Sequence, residues 1–169
     1  MRKKEKTIYI FRKYSEKSKE NFKREKSRIK KNLPKYVLIE HVGSTAVIGL
    51  GGKNIIDLLI GVPKGKVGLN IKRISNLGYD LRKSPTPSKR LFFRRQLKDK
   101  RFHIHLVIIN SKNWEEVICF RNLLISDTNL RKDYSKVKRN AFLECRGDGE
   151  KCRKIKSKFI ETILKEYSK

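Results

Sequence analysis

The 169-residue chain is long enough for one domain with an apolar core, because roughly two-thirds of the unfolded surface can be buried at this size. Its 44 Lys and Arg outnumber its 17 Asp and Glu, giving a formal net charge of +27. This excess predicts a polyanionic partner such as polyphosphate or nucleic acid, unless the lysines only solvate the surface. No apolar run is long enough for a signal peptide or a membrane span, which predicts a soluble cytoplasmic protein without a membrane partner.

The first half of the chain alternates between helix and strand patterns. Residues 15 to 33 place widely spaced apolar side chains in a polar background, which predicts an exposed helix whose lysine face is either solvated or in contact with phosphate. Residues 35 to 42 predict a strand that enters a glycine turn. Residues 54 to 62 (NIIDLLIGV) predict a strand buried on both faces, and the apolar spacing of residues 67 to 77 predicts a helix covering the sheet.

The second half begins with a predicted loop at residues 83 to 88 and continues with two strands, 90 to 97 and 102 to 109, joined as a hairpin. Three helical patterns follow. The chain is therefore predicted to be an α+β protein, with a mixed sheet flanked by helices and a helical C-terminal part at about residues 112 to 169. We expect residues 1 to 169 to form a single domain.

The cysteine pattern contains no C-x-x-C pair and an odd number of thiols. This spacing indicates neither a disulfide framework nor a standard zinc site. A reducing compartment fits this cysteine usage best.

Asp57 interrupts the apolar run of residues 54 to 62. Strand side chains alternate, so Asp57 and Leu59 share one face of the predicted strand. An unpaired buried carboxylate would cost several kcal/mol, so a cation, a metal or a set of hydrogen-bond donors must meet it. Backbone N–H groups of the upstream turn are one such set. On the preceding strand, Glu40 and His41 point to opposite faces, so only one of them can face the same site.

His103 and His105 are two residues apart in a predicted strand and therefore project from one face. This spacing can hold a metal or a phosphate, but such pairs also occur without a catalytic role. If this strand lies beside the strand of Asp57, one carboxylate and two imidazoles converge. That mixed set suits a divalent transition metal better than a pure magnesium site.

Two further stretches could bind phosphate. In the turn Gly43-Ser44-Thr45, glycine allows close approach of the backbone, and the hydroxyl and N–H groups can bind phosphate oxygens. The alternative is an ordinary helix N-cap formed by Ser44 or Thr45. Lys53, directly before the Asp57 strand, is another candidate.

The strand at residues 90 to 97 is rich in arginine around an aromatic pair. Arginine forks bind phosphate bidentately, and aromatic rings can stack on bases. For the two phenylalanines we favour packing in the core. The candidate phosphate ligands of this strand are Arg90, Arg94 and Arg95.

Taken together, these motifs resemble the GrpB family. The resemblance rests on IEHVGSTAVIGLGGKNIIDLLIGV at residues 39 to 62, Gly-Tyr at 78 and 79, RLFFRR, HIHLV, and FRNLL followed by LRKDYSKVKRNAF, so it covers nearly the whole chain. The family is grouped with the nucleotidyltransferase superfamily, whose pattern is a Gly-Ser turn followed about a dozen residues later by paired acids. The resemblance implies a mixed nucleotidyltransferase-like sheet flanked by helices.

Matched residue by residue, the resemblance assigns Gly43 and Ser44 to the phosphate-binding turn and Asp57 to the first metal-binding acid. His103 and His105 match the His-x-His strand of the family. The position of the second superfamily acid holds Leu59, as GrpB sequences generally do. The chain departs from the family motif at Ala46, Ile48, Gly51, Gly52 and Asn54.

The resemblance implies metal-dependent nucleotidyl transfer from a nucleoside triphosphate to RNA or to a small-molecule acceptor. A divalent metal, magnesium or manganese, is expected on Asp57, His103 and His105, and one imidazole alternatively acts as general base. Ser44 would bind the γ- or β-phosphate, and Lys53, Arg94 and Arg95 would steady the triphosphate. The alternative is a non-catalytic nucleotide- or RNA-binding module on the same fold, because two-metal chemistry needs bridging carboxylates.

Overall fold

The computed structural model describes residues 10–82, 90–146 and 148–167, so the predicted loop at residues 83 to 88 lies outside the described residues. A 3-10 turn, Ser44–Ala46, follows the first strand. The strands are β1 (Leu38–Val42), β2 (Ile55–Val62), β3 (Asp80–Arg82), β4 (Leu91–Gln96) and β5 (Arg101–Ile108), and the helices are α1 (Lys17–Lys30), α2 (Val67–Asn76), α3 (Lys112–Ser126), α4 (Thr128–Cys145) and α5 (Gly149–Tyr167).

The strands form one five-stranded sheet in the order β1-β2-β5-β4-β3. β2 and β5 are parallel, and the other neighbouring pairs are antiparallel. This mixed sheet flanked by helices confirms the predicted α+β class. The short strand β3 was not predicted, and the physical reason is that all its side chains are exposed, so it carries no apolar signal.

Helices cover both faces of the sheet and bury β2 between them. On one face, α1 packs through Ile29 against the β2 residue Leu58 in the largest apolar cluster. On the other face, Leu59 packs under α3 beside Trp114. Gly61 allows this contact, because a Cβ at that position would lie 2.7 Å from the indole ring of Trp114. The continuous apolar run of β2 thus reflects burial on both faces, as predicted.

Helices α4 and α5 pack on each other and on the segment that follows the 3-10 turn. Tyr134 of α4 and Phe159 of α5 lie in one apolar cluster with Val47 and Leu50. This contact places the C-terminal helices beside the segment that connects the 3-10 turn to the start of β2. Within the residues that the structure describes, no helix is both long and apolar enough to cross a membrane.

Cys145 and Cys152 are disulfide-bonded across the turn between α4 and α5, with their Cα atoms 5.4 Å apart. The cysteine spacing, which indicates no disulfide framework, does not predict this bond. The two cysteines are seven residues apart, one at the end of α4 and the other in the first turn of α5. Only the packing of these two helices brings the two thiols close enough to bond. Cys119 remains a free thiol.

Candidate functional site

The turn after β1 depends on a glycine. Gly43 has φ +73°, in the left-handed region that favours glycine. A Cβ on Gly43 would lie 2.5 Å from Oδ2 of Asp57, so only glycine lets the turn pack against this carboxylate. Val42, the residue before it, pairs with Asp57 in the sheet. The predicted Gly-Ser turn therefore lies directly beside Asp57.

One carboxylate and two imidazoles converge on one face of the sheet. β2 and β5 are neighbours, with Asp57 opposite His103, so the predicted convergence occurs. Oδ1 of Asp57 lies 3.3 Å from Nδ1 of His103 and 3.5 Å from Nε2 of His105. Burial raises the pKa of Asp57, but hydrogen bonds and charge from the two imidazoles outweigh this and hold the pKa well below its usual range. Asp57 is thus ionised at neutral pH.

The imidazoles are partly open to a ligand. The ring of Phe92 flanks them, with its centroid 4.8 Å from that of His103 and 5.4 Å from that of His105. Their side chains remain 18 % and 21 % exposed, respectively. Because His103 turns Nδ1 and His105 turns Nε2 toward Asp57, each ring keeps a second nitrogen for another partner. Phe93, by contrast, is fully buried in the core on the other face.

Three lysines from distant parts of the chain lie within electrostatic range of Asp57. Lys53 precedes β2, Lys138 lies on α4 and Lys156 lies on α5, and the negative charge of Asp57 acts on all three. Nζ of Lys138 donates a hydrogen bond to the carbonyl of Gly51, in the loop between the 3-10 turn and β2. We call Lys53, Lys138 and Lys156 the lysine group.

At Gly52, the lysine group meets the Gly-Ser turn through Lys138. A Cβ on Gly52 would lie 2.6 Å from Oγ of Ser44 and 2.9 Å from Nζ of Lys138, so both polar groups border the same point of the backbone. An ammonium and a hydroxyl that both face one small space can donate to the same anionic oxygen. Ser44 therefore has a lysine beside it, and its binding of the γ- or β-phosphate stays a prediction.

Burial is the main influence on the pKa values of the lysine group. Desolvation, with smaller contributions from nearby cations, lowers the pKa of Lys53 to about 8 and that of Lys138 to about 7, although Asp57 opposes the shift. The pKa of Lys156 is lowered for the same first reason. Among the described residues, Asp57 is the acid that acts on Lys138 and Lys156, and one carboxylate does not neutralise two ammonium groups, so the site favours an additional anion.

Sequence reasoning missed Lys138 and Lys156, although a signal was present. In α4 the buried side chains Leu130, Tyr134 and Ala141 follow the helical period, and Lys138 falls on the same stripe. Lys156 likewise lies four residues after buried Cys152 in α5. A lysine on the apolar stripe of an amphipathic helix needs a partner inside the fold, but 44 basic residues hide it in the composition.

The structure separates two neighbouring arginines of β4. Arg94 pairs with His103 and shares the face of Asp57. Arg95 lies on the opposite face, where its Nη1 is 3.1 Å from Oε1 of Glu25. Because successive strand side chains alternate, only one of the two can face Asp57. Arg95 is therefore not brought to the site, and its predicted contact with a triphosphate does not fit this geometry.

Arg90 is also set apart from the lysine group. Burial lowers the pKa of Arg90, and the opposing charge acting on it is that of Glu116 in α3. Its Nε has no hydrogen-bond partner among the described residues. Its role in phosphate binding stays a prediction.

The hydroxyl of Thr45 is engaged inside the fold. It donates to the carbonyl of Ile55 at 3.0 Å and lies 3.0 Å from Nε2 of His41, which must then carry the proton of that ring. Burial lowers the pKa of His41 to about 4 against the opposing charge of Asp57. Neutral His41 and Thr45 thus tie the turn to β2, and phosphate binding by the Thr45 hydroxyl stays a prediction.

The place of the second superfamily acid is filled by apolar packing. Leu59 is fully buried beneath α3. Glu40 lies opposite Leu59 on β1 and so shares the face of Asp57, as only one of Glu40 and His41 could. Its carboxylate accepts a hydrogen bond from Arg121 at 2.7 Å. Asp57 is therefore the carboxylate that faces the imidazoles and the Gly-Ser turn.

The residues around Asp57 do not fit a divalent metal well. Within residues 10–82, 90–146 and 148–167, no group of three or more His, Cys, Asp or Glu side chains could hold a metal ion. The lysine group adds positive charge where a divalent cation would need negative ligands. Magnesium or manganese on Asp57, His103 and His105 stays a prediction from the sequence.

The comparison with protein families matches the same elements. The family model described as GrpB protein matches residues 10–166. The chain belongs to the GrpB family. The glutamate-rich protein GrpB of Alkalihalophilus pseudofirmus is 31 % identical over 160 residues, covering 90 % of this chain and 92 % of that protein. The UPF0157 protein YqkA of Bacillus subtilis is 29 % identical over 128 residues, covering 75 % of this chain but 37 % of that protein.

Solved structures place the fold. The crystal structure of the conserved protein GrpB from Enterococcus faecalis matches with a TM-score of 0.77 and 27 % identity, covering 95 % of this chain and all of that chain. A chain of the GLD-2/RNP-8 complex matches with a TM-score of 0.53 and 16 % identity, covering 76 % of this chain and 55 % of that chain. This GrpB-family chain therefore has a nucleotidyltransferase-like fold.

Proposed function

We propose that the protein binds the polyphosphate of a nucleoside triphosphate between the sheet and helices α4 and α5. The observation that carries this proposal is the meeting of Lys138 with the Gly-Ser turn, where Nζ of Lys138 and Oγ of Ser44 both border Gly52. Hydroxyl, ammonium and glycine-turn backbone groups are the donors that polyphosphates use in proteins. The positive charge that Asp57 leaves unbalanced supplies the attraction.

The half-burial of these lysines supports an anion more than a solvated surface. A partly buried ammonium without sufficient counter-charge is destabilised, and the lowered pKa of Lys138 expresses that cost. A triphosphate would restore the protonated forms by supplying negative charge within contact distance. Binding should therefore be accompanied by proton uptake near neutral pH.

Nucleotidyl transfer is the second candidate, and the contacts of Asp57 with both imidazoles favour it. An acceptor hydroxyl would lose its proton to the free ring nitrogen of His103 or His105, while Asp57 orients the ring. The acceptor oxygen would form a bond to the α-phosphorus, the bond to the bridging oxygen would break, and pyrophosphate would leave. The lysine group would stabilise the charge on the departing phosphates.

Calorimetric titration with nucleoside tri-, di- and monophosphates tests the binding proposal. Affinity should fall stepwise as phosphates are removed, because the lysines contact phosphate and not base. Equal affinity for all three, or no binding of any of the four common triphosphates, would contradict it.

A separate assay tests transfer. Pyrophosphate release from a triphosphate should be lost in Asp57→Asn, while calorimetry still detects nucleotide binding by this variant. Binding without release by the unsubstituted chain, across RNA and small hydroxylated acceptors, would overturn transfer and leave the binding proposal standing.

A further inference from the structure

The solvent side of α1 forms an open groove whose lining, among the described residues, carries hydrogen-bond donors and includes no acidic side chain. Helix α1 turns Ser18, Phe22, Glu25 and Ile29 toward the sheet, so the positions between them face outward. We call this groove the α1 groove. Its lining residues are Lys23, Arg24, Ser27, Arg28, Lys31 and Asn32.

The positive charge of the α1 groove is available to a ligand. Lys23, Arg24 and Lys31 are exposed, and no ion pair joins them to an acid within the described residues. Arg28, in contrast, is held by Glu25 at 2.6 Å and borders the groove from the buried side. Exposed Glu20 lies one turn before Lys23 and Arg24, so one acid faces three outward cations, which repel one another unless a further anion lies between them.

The α1 groove is connected with the Asp57 site through the start of the helix. The hydroxyl of Ser18 donates to Asn54, which directly follows Lys53 of the lysine group, at 3.2 Å. One turn further, Phe22 stacks on His41 with ring centroids 4.2 Å apart. From Phe22 the helix extends about 12 Å further, to Lys30. A strand bound along it would lead toward the Gly-Ser turn.

We propose that the α1 groove binds the sugar-phosphate backbone of single-stranded RNA. Repeated cations along a helix match the repeated phosphates of a strand better than they match one small anion. Asn32 donates its amide to the carbonyl of Arg28, which leaves its oxygen as an acceptor for a 2′-hydroxyl, and Ser27 offers a hydroxyl on the same face. Only the direction of the strand, toward the Asp57 site, rests on the proposed function.

Fluorescence anisotropy with a labelled oligouridine tests the surface. The triple variant Lys23→Gln, Arg24→Gln and Lys31→Gln keeps good helix formers on α1. We expect it to bind RNA about 100-fold more weakly at 0.1 M salt and to reduce the slope of log K against log salt by about 2, since each phosphate contact contributes about 0.7. Circular dichroism checks that the helix is retained.

The matched control removes three exposed lysines elsewhere, through Lys64→Gln, Lys72→Gln and Lys132→Gln. We expect this control to weaken RNA binding by no more than about threefold, because it lowers only the overall charge. Equal losses in the two triple variants would overturn the α1 groove as the binding surface. Undiminished RNA binding by the α1 variant would do the same.

Further experiments distinguish RNA from other ligands and test the RNA proposal independently of the proposed function. Oligodeoxyuridine should bind more weakly than oligouridine, and equal or tighter binding of the DNA would overturn the assignment to RNA. Binding of anionic vesicles in place of RNA would also overturn it. Calorimetry with a nucleoside triphosphate should give the same affinity for the α1 variant as for the unsubstituted chain. If the unsubstituted chain bound RNA but no nucleoside triphosphate, the proposed function would be contradicted and the RNA proposal would stand.

Discussion

Two carboxylates are buried on opposite faces of the same sheet, and their surroundings differ. Glu25 of α1 is 7 % exposed, and its oxygens accept hydrogen bonds from Arg28, Arg95 and the hydroxyl of Tyr79, the last at 2.7 Å. Burial raises the pKa of Glu25, but these donors outweigh it and lower the pKa below its ordinary value. Every partner of Glu25 is fixed within the fold.

Asp57 is 21 % exposed, and it forms ion pairs with two imidazoles that each keep a ring nitrogen for another partner. Lysines with lowered pKa values lie within electrostatic range of it. The contrast teaches that burial of a carboxylate does not by itself indicate a functional site. What distinguishes Asp57 is that each of its two imidazole neighbours keeps a ring nitrogen for another partner.

Among these predictions, removal of the Glu25 carboxylate and its hydrogen bonds should have the largest effect on stability. Glu25→Ala leaves two arginines and a tyrosine hydroxyl without their acceptor, so we expect the free energy of unfolding to fall by about 3 kcal/mol. Urea denaturation measures this loss. Glu20→Ala, on the exposed face of the same helix, should change stability by no more than about 0.5 kcal/mol. A loss below about 1 kcal/mol for Glu25→Ala would show that the network is not structural.

The next effect should come from the glycine that packs on Asp57. Gly43→Ala combines a left-handed backbone with a Cβ 2.5 Å from Oδ2 of Asp57, so we expect a loss of about 2 kcal/mol. Gly49→Ala has a similar φ, +80°, but open space around the Cβ, and should cost about 1 kcal/mol. Thermal denaturation compares the two. Equal losses would mean that the turn does not press on the carboxylate.

The helical hairpin over Asp57 should depend on its disulfide. Closing a loop of seven residues limits the unfolded chain, and we expect reduction to lower the free energy of unfolding by about 2 kcal/mol. Urea denaturation with and without reductant measures it. A double variant, Cys145→Ala with Cys152→Ala, should not respond to the reductant, and a response of the same size in that variant would exclude the bond as its cause.

The pH dependence of nucleotide binding should be the smallest of these effects. A bound triphosphate favours protonated lysines, so affinity is highest when Lys138 and Lys53 are already protonated and falls as pH rises through about 7 and about 8. With both fully protonated in the complex, we expect about a tenfold loss from pH 7 to pH 8 and about twofold from pH 6 to pH 7. Calorimetry in buffers of different ionisation heat should detect proton uptake, and its absence would contradict this linkage.

The alternation of strand side chains made much of the Asp57 site predictable. It placed His103 and His105 on one face, and the long apolar run at residues 54 to 62 indicated a central strand. The same rule, applied to Arg94 and Arg95, would have excluded one of them from the site. Because both residues are basic, their charge does not indicate which of the two faces Asp57.

The helical part of the site was not predictable from motifs. Lys138 and Lys156 lie far along the chain from Asp57, and only the packing of α4 and α5 beside the Gly-Ser turn brings them there. Their helical period was readable, but it does not specify which surface the stripe covers. The disulfide between Cys145 and Cys152 was missed for the same reason, since a turn between two helices decides the distance.

The most direct test of the account compares nucleotide binding in two double variants of the same helices. Lys138→Gln with Lys156→Gln removes two half-buried cations, and Lys132→Gln with Lys158→Gln removes two exposed ones. For the first we expect calorimetry to give about 100-fold weaker binding of a nucleoside triphosphate, because charged hydrogen bonds are lost, and for the second a change within about threefold. Equal affinities in the two double variants would contradict the claim that the lysine group holds the polyphosphate.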